Sequence, residues 1–170
     1  LRHRRRPPGG IAVTGPTVLL TGAGGAALPS MIDGLRRKGY RVVAVDADAN
    51  AAGLYLADRG YRVPFAADPA FADTLRAICR AEGVAALVPL VDEELLSVAR
   101  LAEEEGIALI APHAAFTALC LDKYALMRRL ADAGLQVPET RLLGEGWGGM
   151  PFPLVLKPRT GRGSRGVRVV

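Results

Sequence analysis

The chain has 170 residues, half of them hydrophobic and 23% charged, with a formal net charge of +5. That length allows one full core and the start of a second unit, and the apolar runs fall far short of the ~20 residues that cross a bilayer. No secretory signal pattern opens the chain, which makes the cytoplasm the default location.

Cys79 and Cys120 stand apart on predicted helices, without a second thiol at metal spacing or a histidine cluster nearby. Neither a disulfide nor zinc is expected. The positive charge gathers at two ends, Arg2 and Arg4 to Arg6 near the start and the arginines of the last stretch. With few aromatic residues and no helix lined by basic ones, the composition argues against a nucleic-acid partner.

Residues 1–16 carry arginines, prolines and glycines with no hydrophobic period, and are expected to form a disordered basic leader. The start at Leu1 rather than Met, and an end on what reads as a mid-sheet strand, are taken as the ends of a fragment or of a defective reading frame. Val18-Leu-Leu-Thr21 predicts a short buried strand, followed by the glycine turn Gly22-Ala-Gly24-Gly25 and an amphipathic helix over Pro29 to Lys38. The second strand, Arg41 to Val45, ends at Asp46. Gly22-x-Gly24-x-x-Ala27 with an acid about 20 residues on satisfies the dinucleotide fingerprint on paper. Any doubly wound domain needs such a turn, however, and Pro29 is unusual in a phosphate-binding one.

A short helix is expected over Ala51 to Arg59, and a brief strand, ending on proline as an edge or first-to-stop strand would, over Tyr61 to Pro64. Ala70 to Glu82 predicts a helix with Phe71, Leu75, Ile78 and Cys79 on one face. Val84 to Val88 is a buried strand, and Asp92, Glu93 and Glu94 open a helix that runs to about Glu105. Asp92 reads as the cap of that helix, although open α/β sheets also place ligand contacts at such strand ends. Ile107 to Ile110 gives a further strand. Strands alternating with helices imply an α/β fold, a parallel sheet covered on both faces.

Two helices follow, Ala114 to Leu121 and Asp122 to Ala133, the second with Asp122 as N-cap and Gly134 as its stop. Lys123 lies in the first turn, where the helix dipole disfavours a cation. Either an anion is nearby or the lysine simply faces solvent. A glycine-rich connection holding Trp147 spans Gly144 to Pro153.

Leu154 to Leu156 and Val167 to Val170 are aliphatic runs joined by a stretch carrying Gly161, Gly163 and Gly166, which predicts a hairpin with a glycine loop. Strand alternation puts Val155 and Lys157 on one face and turns Leu154 and Leu156 toward a core. Lys157 then stands at the strand end beside the loop. No acid occurs from Leu154 to Val170, and the loop adds the hydroxyls of Thr160 and Ser164 and four arginines, Arg159, Arg162, Arg165 and Arg168. Glycine lets backbone approach phosphate closely, and successive N–H groups can converge on it. These residues alone leave two readings open, a polyphosphate site and a basic surface hairpin without a ligand.

Taken in order, the pieces resemble the ATP-grasp superfamily, in particular the group of the carbamoyl-phosphate synthase large subunit and related carboxylate-amine ligases. The resemblance covers about Val18 to Val170 and rests on Val18-Leu-Leu-Thr-Gly-Ala-Gly-Gly25, Val43-Ala-Val-Asp46, Ala57-Asp-Arg-Gly-Tyr61 with Val63-Pro64, Val88-Pro89 with Asp92 and Glu94, Cys120-Leu-Asp122-Lys123, Gly134-Leu-Gln-Val-Pro-Glu-Thr140, and Pro153-Leu-Val-Leu-Lys157-Pro158. It implies a Rossmann-like pre-ATP-grasp domain over residues 17–113, linker helices over 114–143, and the first strands of an ATP-grasp lobe over 144–170. It also implies that Lys123 and Lys157 contact ATP, and that Thr160, Gly161, Gly163, Ser164 and Gly166 belong to a mobile loop over its phosphates.

In the family a carboxylate or bicarbonate attacks the γ-phosphorus to give an acyl phosphate, which an amine or other nucleophile then displaces. Gly22, Gly24, Gly25, Asp46, Asp92 and Glu94 would lie near the other substrate, a small carboxylate, or an interdomain surface. The family's magnesium-holding acids come later than Val170, so Mg2+ is expected only in a longer parent and the isolated chain is expected to lack ligase activity. Two other readings stand beside this one. One is an NAD(P)-dependent oxidoreductase, resting on the glycine turn and Asp46. The other is a non-catalytic association module that forms a homodimer through the strand edge at Val167 to Val170.

Overall fold

The computed structural model describes residues 2–3 as backbone, and residues 15–146 and 148–170 in full. It divides into two compact units, the first up to Ala111 and the second Pro112–Val170.

In the first unit, β1 (Arg2–His3), β2 (Thr17–Leu20), β3 (Arg41–Asp46), β4 (Arg59–Arg62), β5 (Val84–Val88) and β6 (Ala108–Leu109) form one sheet in the order β1-β4-β3-β2-β5-β6. All neighbours are parallel except β1, which runs antiparallel to β4. The helices are α1 (Leu28–Arg37), α2 (Ala52–Leu56), α3 (Phe71–Glu82) and α4 (Leu95–Glu105).

Alternation along the central strands divides their side chains between two cores. Val18, Leu20, Val42 and Ala44 share one with Leu28 and Ile32 of α1 and Leu54 of α2. Leu19, Val43 and Val45 share the other with Phe71 and Leu75 of α3 and Val98 and Leu101 of α4. The expected α/β sheet, helices on both faces, is therefore the observed one. Leu19 is fully buried, so Leu19→Ala would cost roughly 2–5 kcal/mol, the lost transfer energy plus a cavity.

Several local expectations need correcting. The helix expected to run to Arg59 stops at Leu56, and β4 begins at Arg59 rather than Tyr61, because Arg59 to Arg62 pair with Val43 to Asp46. The strand is not an edge, since β1 lies on its outer side. Asp92 does not cap α4: the three acids form a 3-10 turn, and the helix starts after Glu94 without a side-chain cap. Within the leader expected to be disordered, Arg2–His3 is the antiparallel strand β1, and residues 1 and 4–14 lie outside the described residues, as does Trp147.

The second unit holds α5 (Ala114–Leu121), α6 (Lys123–Asp132) and an antiparallel pair, β7 (Val155–Leu156) with β8 (Arg168–Val169). The pair is extended by reciprocal bonds between Leu154 and Val170, 2.7 and 2.9 Å. Leu154 and Leu156 are only half-buried while Val155 is 60% exposed. The alternation is as expected, but the core they were to enter is not formed by the described residues of this unit, whose one buried side chain is Thr117.

Candidate functional site

Each unit carries one group of the residues singled out by sequence. In the first, the chain leaves β2 for β3 on one side and returns to β5 on the other, so the C-terminal end of β2 is the switch point of the sheet, the place where open α/β folds leave a crevice. Gly22 occupies it with φ +65°, and a Cβ there would stand 2.6 Å from Val91 Cγ2. Both the left-handed backbone and the close approach of the segment after β5 require glycine. Thr21 ties the same two segments, its hydroxyl accepting from the Leu90 amide at 3.0 Å.

Asp46, at the end of β3, accepts from the amides of Gly24 and Asp48, 2.8 Å each, one on each carboxylate oxygen. Gly25 closes the turn through its amide to the Gly22 carbonyl, 2.9 Å. The carboxylate thus buttresses the glycine turn. Asp92 is exposed and Glu94 buried, on the segment that begins with Leu90 and Val91. The first turn of α1 has a proline in it, which removes one amide from the helix end.

In the second unit, a cavity of about 650 Å³ is lined by both Lys123 and Lys157. Asp122 sets the start of α6, its side chain accepting from the Tyr124 and Ala125 amides at 3.2 and 3.1 Å. That cap fixes where Lys123 leaves the helix. The Lys123 amide donates to the Arg159 carbonyl at 3.0 Å, and its ammonium to the Gly161 carbonyl at 2.6 Å. Lys157 follows β7 directly and is exposed.

The loop between β7 and β8 is built from left-handed residues: Gly161 (φ 108°), Gly163 (62°), Gly166 (72°) and, unusually for a residue with a Cβ, Ser164 (57°). Of the loop residues singled out, Gly166 lines the cavity, whereas Thr160, Gly161, Gly163 and Ser164 are exposed. A Cβ on Gly166 would press on Pro158 Cγ at 2.9 Å.

Sequence reasoning missed the rest of the wall. Arg159 clasps Asp122 with Nε at 2.7 and 2.8 Å from its two oxygens and Nη2 at 2.6 Å, and lies over the Tyr124 ring, 5.6 Å from its centroid. The Arg159 hydrogen bond, then the Ala125 amide, hold the Asp122 carboxyl down at about 2. Tyr124 donates to Glu145 at 3.2 Å, and Glu145 accepts from the Leu142 amide at 2.9 Å. The adjacency of Asp122, Lys123 and Tyr124 was visible in the chain. The seat of Arg159 on them was not, since it joins residues 37 apart.

No group of three or more His, Cys, Asp or Glu that could hold a metal ion occurs among the described residues. The acids around the cavity already serve cations or amides: Asp122 is gripped by Arg159, Glu139 by Arg141, and Glu145 accepts from the Leu142 amide. They do not make a ligand set for magnesium. Lys123 and Lys157, with Arg141, Arg159 and Arg168 beside them, and an apolar wall of Leu142, Leu154 and Leu156 suit an anion with a nonpolar extension.

The first unit has the fold of the Rossmann-like pre-ATP-grasp domain of ATP-grasp ligases. Residues 18–110 match the family described as PylC-like, N-terminal domain, and the chain belongs to that family. Among curated relatives, it is 30% identical over 162 residues to the formate-dependent phosphoribosylglycinamide formyltransferase of Bordetella avium, covering 90% of this chain and 38% of the relative. Among solved structures, it resembles the L-amino acid ligase from Bacillus licheniformis (TM-score 0.71, 21% identity, 92% of this chain and 39% of that one). It also resembles N5-carboxyaminoimidazole synthetase from Staphylococcus aureus complexed with ADP (TM-score 0.70, 18% identity, 91% and 41%). These two likenesses are of fold. The chain spans about two fifths of the length of these proteins.

Proposed function

We propose that this chain is the N-terminal part of an ATP-dependent carboxylate-amine ligase, and that the cavity of its second unit takes the nucleotide. The observation that carries the reading is that Lys123 and Lys157, 34 positions apart, line one cavity. ATP chemistry in such an enzyme supplies a phosphoryl group that activates a carboxylate as an acyl phosphate. What these residues contribute is charge and aim. The two ammonium groups would neutralise phosphate oxygens, and the amides and hydroxyls from Thr160 to Gly166 would add further donors from the loop. The curated relative is by its name formate-dependent, in keeping with a small carboxylate as second substrate, and one fold relative was solved with ADP, in keeping with a nucleotide.

Gly22, Gly24, Gly25, Asp92 and Glu94 are proposed to face the small carboxylate substrate at the switch point of the sheet. The oxidoreductase reading rests on the glycine turn and Asp46; acceptance by Asp46 from the Gly24 and Asp48 amides, one on each oxygen, supports a structural task for it in the turn.

Calorimetric titration of the chain with ATP and with NADH tests this. ATP should bind, and Lys123→Ala and Lys157→Ala should each weaken it by about tenfold or more, the loss of one charge-assisted hydrogen bond. ATP affinity indifferent to both substitutions, or NADH binding in its place, would overturn the proposal.

A further inference from the structure

Three arginines, Arg141, Arg159 and Arg168, line the cavity beside the two lysines, and the geometry of Arg159 differs in kind from that of the lysines. Its guanidinium meets the Asp122 carboxylate through Nε and Nη2, at 2.6 to 2.8 Å, and its Cζ lies over the Tyr124 ring. A fork seated on a carboxylate and a ring is held in direction as well as place. Its backbone is held too, since the Arg159 carbonyl accepts from the Lys123 amide. The segment Lys157-Pro158-Arg159 is therefore fastened twice to the first turn of α6, once by main chain and once by side chain.

From this we propose that Asp122 and Arg159 are a positioning pair: they bind no phosphate themselves, and they lock the end of β7 to the start of α6 so that Lys157 and Lys123 point at one phosphate group. The inference rests on the nucleotide reading above and adds to it which charged residues act indirectly. Asp122 has two tasks, because the same carboxylate that grips Arg159 also caps the helix bearing Lys123. Arg159 is an arginine of the loop stretch that the anion does not reach, since its charge is already met by Asp122.

A direct ligand and a positioning residue predict opposite signs. Asp122→Asn removes a negative charge beside the cavity and frees the guanidinium, while asparagine still accepts hydrogen bonds at a helix N-cap. Were Arg159 a phosphate ligand, or were charge alone decisive, this variant would bind anions more tightly. As a positioning pair, it binds them less tightly, against the change in charge.

The experiment is calorimetric titration of the full chain with ATP and, separately, with inorganic tripolyphosphate, for wild type, Asp122→Asn, Arg159→Lys and the double variant, with Lys157→Ala as reference. Expected are losses of about tenfold for Asp122→Asn and for Arg159→Lys with both probes, and little further loss in the double variant, because the two act as one unit. Unchanged or tighter binding by Asp122→Asn, while Lys157→Ala still loses affinity, overturns the positioning pair and leaves the nucleotide site standing. A wild type that binds neither probe, or binds them irrespective of Lys157, overturns both. If thermal melting shows Asp122→Asn unfolded, Arg159→Lys decides in its place, because it leaves the helix cap intact: wild-type affinity in it overturns the pair.

Discussion

The Lys123 ammonium donates to the carbonyl of Gly161 at 2.6 Å, joining the first turn of α6 to the middle of the glycine loop. The bond makes Lys123 a tether for that loop. Lys123→Met should release this tether, worth about 1 kcal/mol for a partly exposed charged donor. Limited trypsin digestion should then cut after Arg162 and Arg165 about fivefold faster than in wild type. Equal rates would show that the bond does not restrain the loop.

Two glycine-to-alanine changes in the first unit should act with opposite sign. A Cβ on Gly60 would collide with the Leu54 carbonyl oxygen, where backbone would have to yield, so Gly60→Ala should destabilise by about 3 kcal/mol. A Cβ on Gly34, inside α1, meets nothing closer than 4.0 Å, so Gly34→Ala should stabilise by about 0.5–1 kcal/mol through helix propensity. Urea unfolding of both variants reads the contrast directly.

Glu82, at the end of α3, bonds to Arg41 and to the Tyr61 hydroxyl. Burial raises its pKa, but these hydrogen bonds and the charges of Arg41 and Arg59 outweigh it, and the net value lies below the ordinary one. A carboxyl depressed in the folded state stabilises the fold above its unfolded pKa, and the contribution disappears as pH falls from that value through the native one. Thermal melts from pH 6 down to about pH 3 should therefore show a smaller loss of stability in Glu82→Gln than in wild type. Parallel losses would remove Glu82 from the acid response.

The two thiols should differ in reactivity. Burial first, and the Glu105 carboxylate second, push the Cys79 thiol up to about 11, so it has almost no thiolate near neutral pH. Cys120 is only half-buried. Iodoacetamide should label Cys120 in the folded chain more than tenfold faster than Cys79, and both alike in urea, as mass spectrometry of tryptic peptides would show. Early labelling of Cys79 would contradict the burial of α3.

The centre of the sheet was legible in the sequence because β2 and β3 are short, rich in aliphatic residues and buried along most of their length, and because a glycine turn and an acid end them. Val18 to Leu20 and Val42 to Val45 state their own pattern, and period alone assigns them to two cores. The boundary between α2 and β4 was not legible. Ala51 to Arg59 has no strong period, and only pairing with Val43 to Asp46 draws Arg59 and Gly60 into the sheet.

The candidate site divides in the same way. Glycines that permit left-handed backbone, and a run of cations without an acid, are local properties, and the sequence by itself determined them along with the cap of α6 by Asp122. Only the tertiary structure decided that Asp46 accepts from the Gly24 and Asp48 amides, that Lys123 and Lys157 share a cavity, and that Arg159 is seated on Asp122 and Tyr124. The physical reason is range: side-chain type and backbone preference act over a few residues, whereas the partner of a charge is set by the fold, here across 22 residues for Asp46 and 37 for Arg159.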